Sequence, residues 1–520
     1  MKAKRTIGVC LSLAGLITGA WGQSVEKAMG LEECILTAMK NNLAVAVEIL
    51  NPELADIAVS RAREIFIPRL AMGYQQESQN SGSYSWIDAA QDVSTTSNGY
   101  ETSLRQLIPF GGEFSVSLQS YEIESNRKFQ TINPRFGSTL NFSFSQPLLR
   151  SFGFLATQRE IIVARTNRDI SETRLSTLLQ QTVYQVEEAY WNLVYSVQDL
   201  EVKKTSLKLA EDLTAKTKRE SEVGRVAEIE LLSAEAEAAS RRADILQAEA
   251  SVRNNENILK TFVNLKSEDG QPVKIVPTDS PRVEKNDITY EEAVRIAIAR
   301  RPDLETSRLD LKSREINFSY AKNQLLPDLR LQASYWSPGL SGNQILYLNN
   351  DPLSGIVIGT LPSGASSALK DALKFRYKNW SVGLSLNIPL DTLLSRAQYN
   401  QAKVEVSQAE LRLKNQEQQI LLEIENAVNS VGTDHQRVQA YRAARELAEK
   451  KLAGEEKKLQ VGMSTNYIVL QYQRDLANAR SAELQALIDY NLSLARLDRA
   501  LGTGLESKNI RIGEFMGRET

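Results

Sequence analysis

Few residues in this chain could carry catalytic or metal chemistry, and they are scattered. The 520 residues include one histidine, His435, and two cysteines, Cys10 and Cys34. A single histidine argues against a histidine-based metal site and against a Ser-His-Asp triad. The 62 basic and 64 acidic residues follow helical faces and form no recognisable catalytic spacing. We therefore predict that the chain is not an enzyme and that it holds no metal or cofactor.

The charge balance also argues against two classes of partner. The formal net charge is −2, and no basic stripe with interleaved aromatic residues occurs. Binding to nucleic acid normally requires such a stripe, so we expect none. No glycine loop that could cradle a phosphate precedes a predicted helix, which argues against chemistry driven by ATP or NAD.

The predicted secondary-structure elements of this chain occur twice. Three short motifs recur in the same order: a Glu-Glu pair before a helix, a proline after alternating strands, and a Val-Gly pair between long helices. The first copies are Glu32-Glu33, Pro147-Leu148 and Val223-Gly224, and the second copies are Glu291-Glu292, Pro389-Leu390 and Val461-Gly462. Internal repeats determine the architecture, so this duplication predicts two similar units in one chain.

The chain begins with the features of a targeting segment. Lys2, Lys4 and Arg5 precede an apolar run, and Ala20-Trp21-Gly22 fits a small-x-small cleavage site. We therefore predict a signal peptide over residues 1–22. The predicted boundaries that follow are 23–265 for the first repeat, 266–289 for the linker, 290–503 for the second repeat and 504–520 for the tail.

Several segments alternate between apolar and small polar residues. Leu140, Phe142 and Phe144, for example, interleave with Asn141 and Ser143. A period of two places the two sets on opposite faces of a sheet. The predicted strands are 69–78, 136–146, 328–336 and 380–388, with an additional hairpin over 99–108 and 113–123; polar loops are predicted over 79–98 and between 336 and 380. The neighbouring segments are long charged helices that cannot cover the apolar faces, so we expect those faces to contact lipid around a polar lumen.

The remaining segments are predicted to be long helices. Leu179, Val186 and Leu193 recur every seven residues, with Val183 and Tyr190 between them, which is the spacing of a coiled-coil seam. The second repeat carries a similar seam from Ile420 to Leu452. Each Val-Gly pair would then turn one long helix into the next, because glycine is the usual residue beyond a helix end. The segment 225–256 is predicted to be a solvated helix and little more.

An open sheet of this kind requires several copies of the chain. Four to six strands cannot close a membrane barrel, and unpaired strand edges in lipid are very costly. Three copies would give twelve strands, or eighteen if the hairpin over 99–123 joins the wall. The hairpin could instead cap the outer mouth, and the sequence leaves both arrangements open.

Together these features resemble the outer-membrane efflux protein family, the TolC-like exit ducts. The resemblance covers essentially the whole mature chain. Its marks are the doubled architecture, the junction Gln146-Pro147-Leu148-Leu149, and the paired Val-Gly segments at 223–227 and 461–465. It implies a mainly α protein with membrane β-structure: a homotrimer that shares one outer-membrane β-barrel and one periplasmic coiled-coil tunnel. It also implies passive conduction, with a periplasmic adaptor protein and an inner-membrane pump or ABC exporter as partners.

The resemblance assigns roles to residues near the Val-Gly pairs. The adaptor-docking tips would be Val223, Gly224, Arg225, Val461, Gly462 and Met463. Relatives place acidic residues that narrow the pore just beyond the second tip, where this chain has Ile468 and Gln471. The nearest acidic candidates are Glu228, Glu230 and Asp475. Of the first two, Glu230 is favoured, because its spacing from Gly224 equals that of Ile468 from Gly462.

The long helices are also compatible with two other functions. A periplasmic coiled-coil adaptor would have one helical hairpin, not two, and no lipid-facing strands. A structural envelope protein is the other alternative. The sequence does not identify the transported substrate, which could be a drug, a metal ion, a polysaccharide or an unfolded protein.

Overall fold

The computed structural model describes residues 25–510, except 84, 89, 266–272 and 390–392. The predicted signal peptide, the start of the linker, Leu390 and the end of the tail therefore lie outside the described residues. The strands are β1 Val25–Met29, β2 Arg69–Gly82, β3 Asp92–Leu107, β4 Glu113–Ser125, β5 Ile132–Pro147, β6 Val273–Pro277, β7 Asp328–Tyr347, β8 Val357–Leu361 and β9 Asn379–Asn387. The helices are α1 Leu31–Asn41, α2 Leu43–Arg63, α3 Phe154–Glu222, α4 Glu228–Val263, α5 Tyr290–Arg300, α6 Pro302–Asn323, α7 Ala365–Leu373, α8 Leu393–Gln460 and α9 Asn466–Leu501.

The duplication is visible in the bounds of the helices. Helices α4 and α9 both contain 36 residues, and α1 and α5 both contain 11. Helix α9 begins 238 residues after α4 begins, and it ends 238 residues after α4 ends. Asn264 and Gly502, the residues that follow them, both adopt the left-handed conformation. The two internal repeats predicted from the sequence are therefore confirmed.

The chain forms two compact units, and both draw on both repeats. One contains the described residues within 1–47, 177–301 and 420–520, and the other contains those within 48–176 and 302–419. In the first unit, β1 pairs in parallel with β6, so the segment before each repeat's first helix joins a small two-stranded sheet. No described helix is apolar over enough of its length to cross a membrane.

The second unit contains one large antiparallel sheet. Its strands lie in the order β2-β3-β4-β5-β7-β9, and β8 pairs with the end of β7. The additional hairpin, β3 and β4, therefore lies inside the sheet between β2 and β5. The hairpin is thus part of the sheet.

The register gives this sheet one apolar face and one polar face. An apolar row crosses all six long strands: Leu70, Leu104, Val116, Phe142, Tyr335 and Trp380. The adjacent row is polar throughout: Arg69, Arg105, Ser115, Ser143, Ser334 and Ser381. Residues paired across strands share a face, so the side bearing the first row, hereafter the apolar face, is continuous. The alternation predicted from the sequence is confirmed.

The predicted polar loops were too long. Strand β2 continues to Gly82 and β3 begins at Asp92, so most of residues 79–98 is strand. Strand β7 continues to Tyr347, and the segment between it and β9 contains β8 and α7. Serine and threonine rows can pair across a ladder without apolar side chains, as Thr95 and Ser125 do over 3.3 Å. The alternation of apolar and polar residues therefore shows where the apolar face ends. The strands themselves continue beyond that point.

Candidate functional site: the paired helix tips

Two turns join the long helices, and they have the same geometry. Gly224 follows α3 with φ +73°, and Gly462 follows α8 with φ +77°. The Gly224 amide donates to the Ser221 carbonyl (2.9 Å), and the next amide, of Arg225, donates to Glu220 (2.8 Å). This 5→2 and 6→1 pair of bonds is the Schellman arrangement, which needs a residue in the left-handed conformation that glycine adopts without steric cost.

The second turn repeats both bonds. The Gly462 amide donates to Leu459 (3.1 Å), and the Met463 amide donates to Lys458 (2.8 Å). An ideal Cβ on either glycine would meet no atom within 4 Å. In each tip the glycine is therefore required by backbone conformation, while the space around it is open.

Large apolar side chains surround both turns and are exposed. Val223 is 69% exposed in the first tip, and Val461 and Met463 are 70% and 76% exposed in the second. Ile229 and Tyr467, at the start of the following helices, are exposed as well. Exposed apolar side chains clustered in this way are typical of a protein interaction surface.

The second tip has an additional support. The Ser464 hydroxyl donates to Oε1 of Glu455 (2.7 Å), and Lys458 forms an ion pair with the same carboxylate (3.0 Å). At the equivalent position the first tip has Val226, which has no side-chain donor. The two tips therefore share a backbone turn but differ in how the turn is held.

A buried arginine connects the helices behind the tips. Arg241 on α4 is only 4% exposed. Its guanidinium donates to the Ser206 carbonyl on α3 (2.8 Å) and to the Leu470 carbonyl on α9 (2.9 Å). It also donates to Glu237 (3.1 Å). Burial lowers the pKa of Arg241 below its ordinary value. The neighbouring Glu237 carboxylate opposes this effect and offsets only part of it.

An apolar cluster fills the space around this arginine. It contains Ala210, Leu213, Ala234, Ala238, Leu452, Val469, Leu470 and Leu476, contributed by α3, α4, α8 and α9. The four helices behind the tips are thus packed into one body. This rigidity allows the turns to present their exposed side chains in a fixed arrangement.

Sequence reasoning missed this network. The prediction that residues 225–256 are a solvated helix and little more was wrong, because one face of α4 is buried. Ala234, Ala238 and Ala248 lie at helical spacing, and Arg241 falls on the same stripe. Small residues at that period are the signal that identifies a buried face, even within a charged segment.

The proposed constriction residues lie in the first turns of α4 and α9. Glu230 and Ile468 are each the third residue of their helix, and both are half-buried in the single chain. Glu228, Gln471 and Asp475 are exposed. Carboxylates in the first turn of α4 also stabilise the helix dipole, a role that α9 leaves unfilled because it has no acidic residue there.

The described residues contain no group of three or more histidine, cysteine or acidic side chains arranged to hold a metal ion. The arrangement at the tips can do two things. It can present apolar side chains to another protein, and it places carboxylates in the first turn of α4.

Comparison with known families and structures gives a consistent result. Residues 293–503 match the family described as outer membrane efflux protein. A search of the curated proteins finds no match.

Solved structures resemble the whole fold. The outer-membrane channel OprN is 17% identical, with a TM-score of 0.64 over 91% of this chain and 90% of that chain. The Campylobacter jejuni CmeC outer membrane channel is 15% identical, with a TM-score of 0.63 over 98% of this chain and 99% of that one. The outer membrane protein VceC from Vibrio cholerae is 16% identical, with a TM-score of 0.60 over 91% of this chain and 96% of that one. At these identities the likeness concerns the fold, which is that of TolC-like channels.

Proposed function

We propose that the chain is the outer-membrane exit duct of a tripartite efflux or type I secretion system, since residues 293–503 match the outer membrane efflux protein family. The observation that carries the proposal is the six-stranded sheet with one continuous apolar face and two unpaired edges. A periplasmic adaptor has no use for such a sheet. The family is one of transport proteins and not of enzymes, and we propose that the duct conducts passively.

We infer that three chains close one barrel of eighteen strands. β2 and β9 form the two edges of the sheet and are exposed along nearly their whole length. Six antiparallel strands per chain leave these edges running in opposite directions. The β9 edge of one chain can therefore pair with the β2 edge of the next in the same antiparallel pattern. Closure satisfies the unpaired groups, which would be very costly in lipid.

Cysteine cross-linking tests this assembly. Ala71→Cys on β2 would be combined in turn with Ser381→Cys, Gly383→Cys and Ser385→Cys on β9, all on the polar face. We expect one combination to give covalent dimers and trimers on a denaturing gel. Ala71→Cys with Ser334→Cys on the interior strand β7 is the matched control and should give none. A chain that stays monomeric in every combination, and that fractionates away from the outer membrane, would refute the proposal.

The tips are proposed as the site where the adaptor docks. The support is the pair of identical Schellman turns with exposed Val223, Val461 and Met463 beside them. Two docking points per chain give six around a trimer. Co-purification of the adaptor with wild-type protein, and its loss from a Val223→Ser/Val461→Ser/Met463→Ser variant that still forms trimers, is the expected result. Unchanged adaptor recovery would show that docking occurs elsewhere.

We propose that Glu230 contributes one carboxylate per chain to an acidic ring in the pore. Ile468, at the equivalent position of the second repeat, would contribute a less polar constriction. Three-fold symmetry turns one pore-facing carboxylate per chain into a ring of three. The support is the equivalence of the two positions in α4 and α9. Gln471 and Asp475 would line the same passage.

A further inference from the structure

A short helix lies on the apolar face of the sheet. Helix α7 occurs in the connection between β7 and β9 and packs mainly on β7 and β5. Gly339, Ser337 and Tyr335 are on the same side of β7 as the apolar row, because side chains alternate along a strand. In the proposed barrel, on which this inference depends, the apolar face is the lipid side. Helix α7 therefore lies outside the wall.

The helix is fixed closely to this surface. A Cβ on Gly339 would lie 1.9 Å from the Ala368 carbonyl oxygen, so the helix backbone rests directly on the glycine. The Ser341 hydroxyl donates to the Gly364 carbonyl (2.9 Å) and accepts from the Ala368 amide (3.2 Å). Ala368 and Ala372 are fully buried against the sheet. The position of α7 is thus determined by Gly339 and Ser341 on β7.

An aromatic contact continues this packing beyond the end of the helix. The Phe375 ring lies 6.1 Å from that of Phe142 on β5 and 5.7 Å from that of Tyr335 on β7, measured between centroids. Tyr377 and Trp380 follow and are exposed. These aromatic side chains extend the apolar surface beside the helix.

The same segment is strongly basic. Residues 370–378 contain four basic side chains and one acidic side chain, a net charge of +3. Arg376 forms an ion pair with that acid, Asp371, over 3.0 Å. The side chains of Lys370, Lys374 and Lys378 are all exposed.

The height of α7 places Lys370 near the membrane surface. The apolar face begins near Leu329 on β7, and α7 packs at Gly339, ten residues further along. Ten residues span about 33 Å of strand, and a tilt of about 40° reduces this to about 25 Å of height, which is the height of the apolar band of a membrane barrel. Lys370, between Ala368 and Ala372, therefore lies near the end of the band, and the long side chains of Lys374 and Lys378 can extend towards the head groups from positions below it.

We propose that α7 and the three lysines form a binding site for an anionic, phosphate-bearing lipid of the outer leaflet. The acyl chains would lie on the exposed apolar face beside Phe375, and the phosphate would lie among Lys370, Lys374 and Lys378. The +3 charge of the segment, directly above an apolar surface, identifies the occupant as a lipid and not as a soluble anion. Each lysine near a membrane surface contributes about five-fold to the affinity for anionic lipid.

Lipid binding to the purified trimer in neutral detergent tests the proposal. The probe is fluorescent phosphatidic acid, and phosphatidylcholine with the same chains is the reference. We expect wild-type protein to prefer phosphatidic acid, and the triple variant Lys370→Gln/Lys374→Gln/Lys378→Gln to bind it on the order of 100-fold more weakly. The triple Lys→Arg variant retains the charge and should bind as wild type does. Lys128→Gln, in a different loop of the same sheet, is the control for loss of one exposed charge, and Lys378→Gln alone should weaken binding about five-fold.

Equal binding of the two lipids by wild-type protein, or undiminished phosphatidic acid binding by the triple Gln variant, would overturn the proposal. Loss of binding in the Arg variant as well would overturn its electrostatic basis. Fractionation of the same variants separates this inference from the proposed function. A chain absent from the outer membrane contradicts the duct, whereas a trimer in the outer membrane without lipid preference contradicts only the lipid site.

Discussion

The Nε atom of Arg474 on α9 donates to Oε1 of Glu237 on α4 across 2.9 Å. The two residues belong to different repeats and are 237 positions apart in the chain. Glu237 also accepts a hydrogen bond from the buried Arg241, so one carboxylate interacts with two positively charged guanidinium groups. This contact joins the two helices that follow the tips.

Glu237→Gln should destabilise the tip region by about 3 kcal/mol, because Arg241 would remain buried without its carboxylate. Thermal unfolding of the purified trimer, followed by circular dichroism, measures the change. Glu235→Gln is the matched control, because Glu235 lies two residues away on the same helix and is exposed. An equal melting temperature for both variants would contradict a structural role for the pair.

The same carboxylate makes this stability dependent on pH. Burial alone would raise the pKa of Glu237, but hydrogen bonds from Arg474 and Arg241 outweigh it and lower the pKa below its ordinary value. A lowered folded-state pKa stabilises the protein above the unfolded pKa, about 4.3, and this stabilisation is lost as the pH falls through the folded value. The difference between wild type and Glu237→Gln should therefore shrink below about pH 4. A constant difference from pH 7 to pH 3 would show that ionised Glu237 is not its source.

The tip glycines should be required for export and not for folding. Gly224→Trp/Gly462→Trp places bulk in open space, although the left-handed backbone costs about 1–2 kcal/mol per site. We expect trimers at normal levels in the outer membrane and loss of export, measured as susceptibility to an exported toxic compound. Gly454→Trp on the exposed face of α8 is the control for bulk alone. Normal export by the double variant would remove the tips from the docking site.

Single-channel recording in a planar bilayer tests the acidic ring. Glu230→Gln should reduce cation preference and block by divalent cations, because closely spaced carboxylates in a narrow pore attract cations. Glu228→Gln should have a smaller effect, since the two side chains point about 200° apart around the helix. Ile468→Glu should strengthen cation selectivity. If Glu230→Gln changes neither property, Glu230 is a solvated helix residue.

Arginine substitutions distinguish the two faces of the wall and include the additional hairpin. Leu384→Arg on β9 and Val116→Arg on β4 both place a charge on the apolar face and should each cost about 2–4 kcal/mol of trimer stability. Ser385→Arg and Ser117→Arg, one residue further along each strand, face the polar side and should cost far less. Resistance of the trimer to heat in detergent measures all four. Tolerance of Val116→Arg alone would mean that the hairpin leaves the wall in the membrane.

The native thiol should not interfere with the cysteine experiments. Burial, together with the Glu33 and Asp279 carboxylates, raises the pKa of the Cys34 thiol to about 12. Cys34 is fully buried, so we expect no reaction with a water-soluble thiol reagent at pH 8 unless the protein is unfolded. Because the raised pKa favours the protonated folded state, its stabilisation is present below pH 9 and is lost as the pH rises towards 12. Rapid labelling at pH 8 would show that the α1 region opens.

Regular periodicity made most of the fold predictable from the sequence. Leu179, Val186 and Leu193 are buried, as their heptad spacing indicated, and both Val-Gly pairs form the expected turns. The predictions that were wrong concerned residues whose contacts are distant in sequence. Arg241 is buried because it meets α9 more than 200 residues later, and a local reading of a charged helix cannot reveal that contact.

The same limit explains why α7 was missed. Its nine residues contain only two leucines, and it is stabilised mainly because Gly339 on another element leaves room for its backbone. The assignment of pore and docking residues comes from the resemblance to the family. It stays a prediction that the experiments on Glu230 and on the tip glycines test.

The position of β3 and β4 inside the sheet also limits how such a pore can change width. A single extra strand would leave the two edges parallel and spoil the antiparallel closure between neighbouring chains. The smallest permitted change is one hairpin per chain, which three-fold symmetry multiplies to six strands around the circumference. The diameter of these barrels can therefore vary only in large steps. Excising residues 83–131, so that β2 leads directly into β5, would reduce the proposed barrel from eighteen strands to twelve.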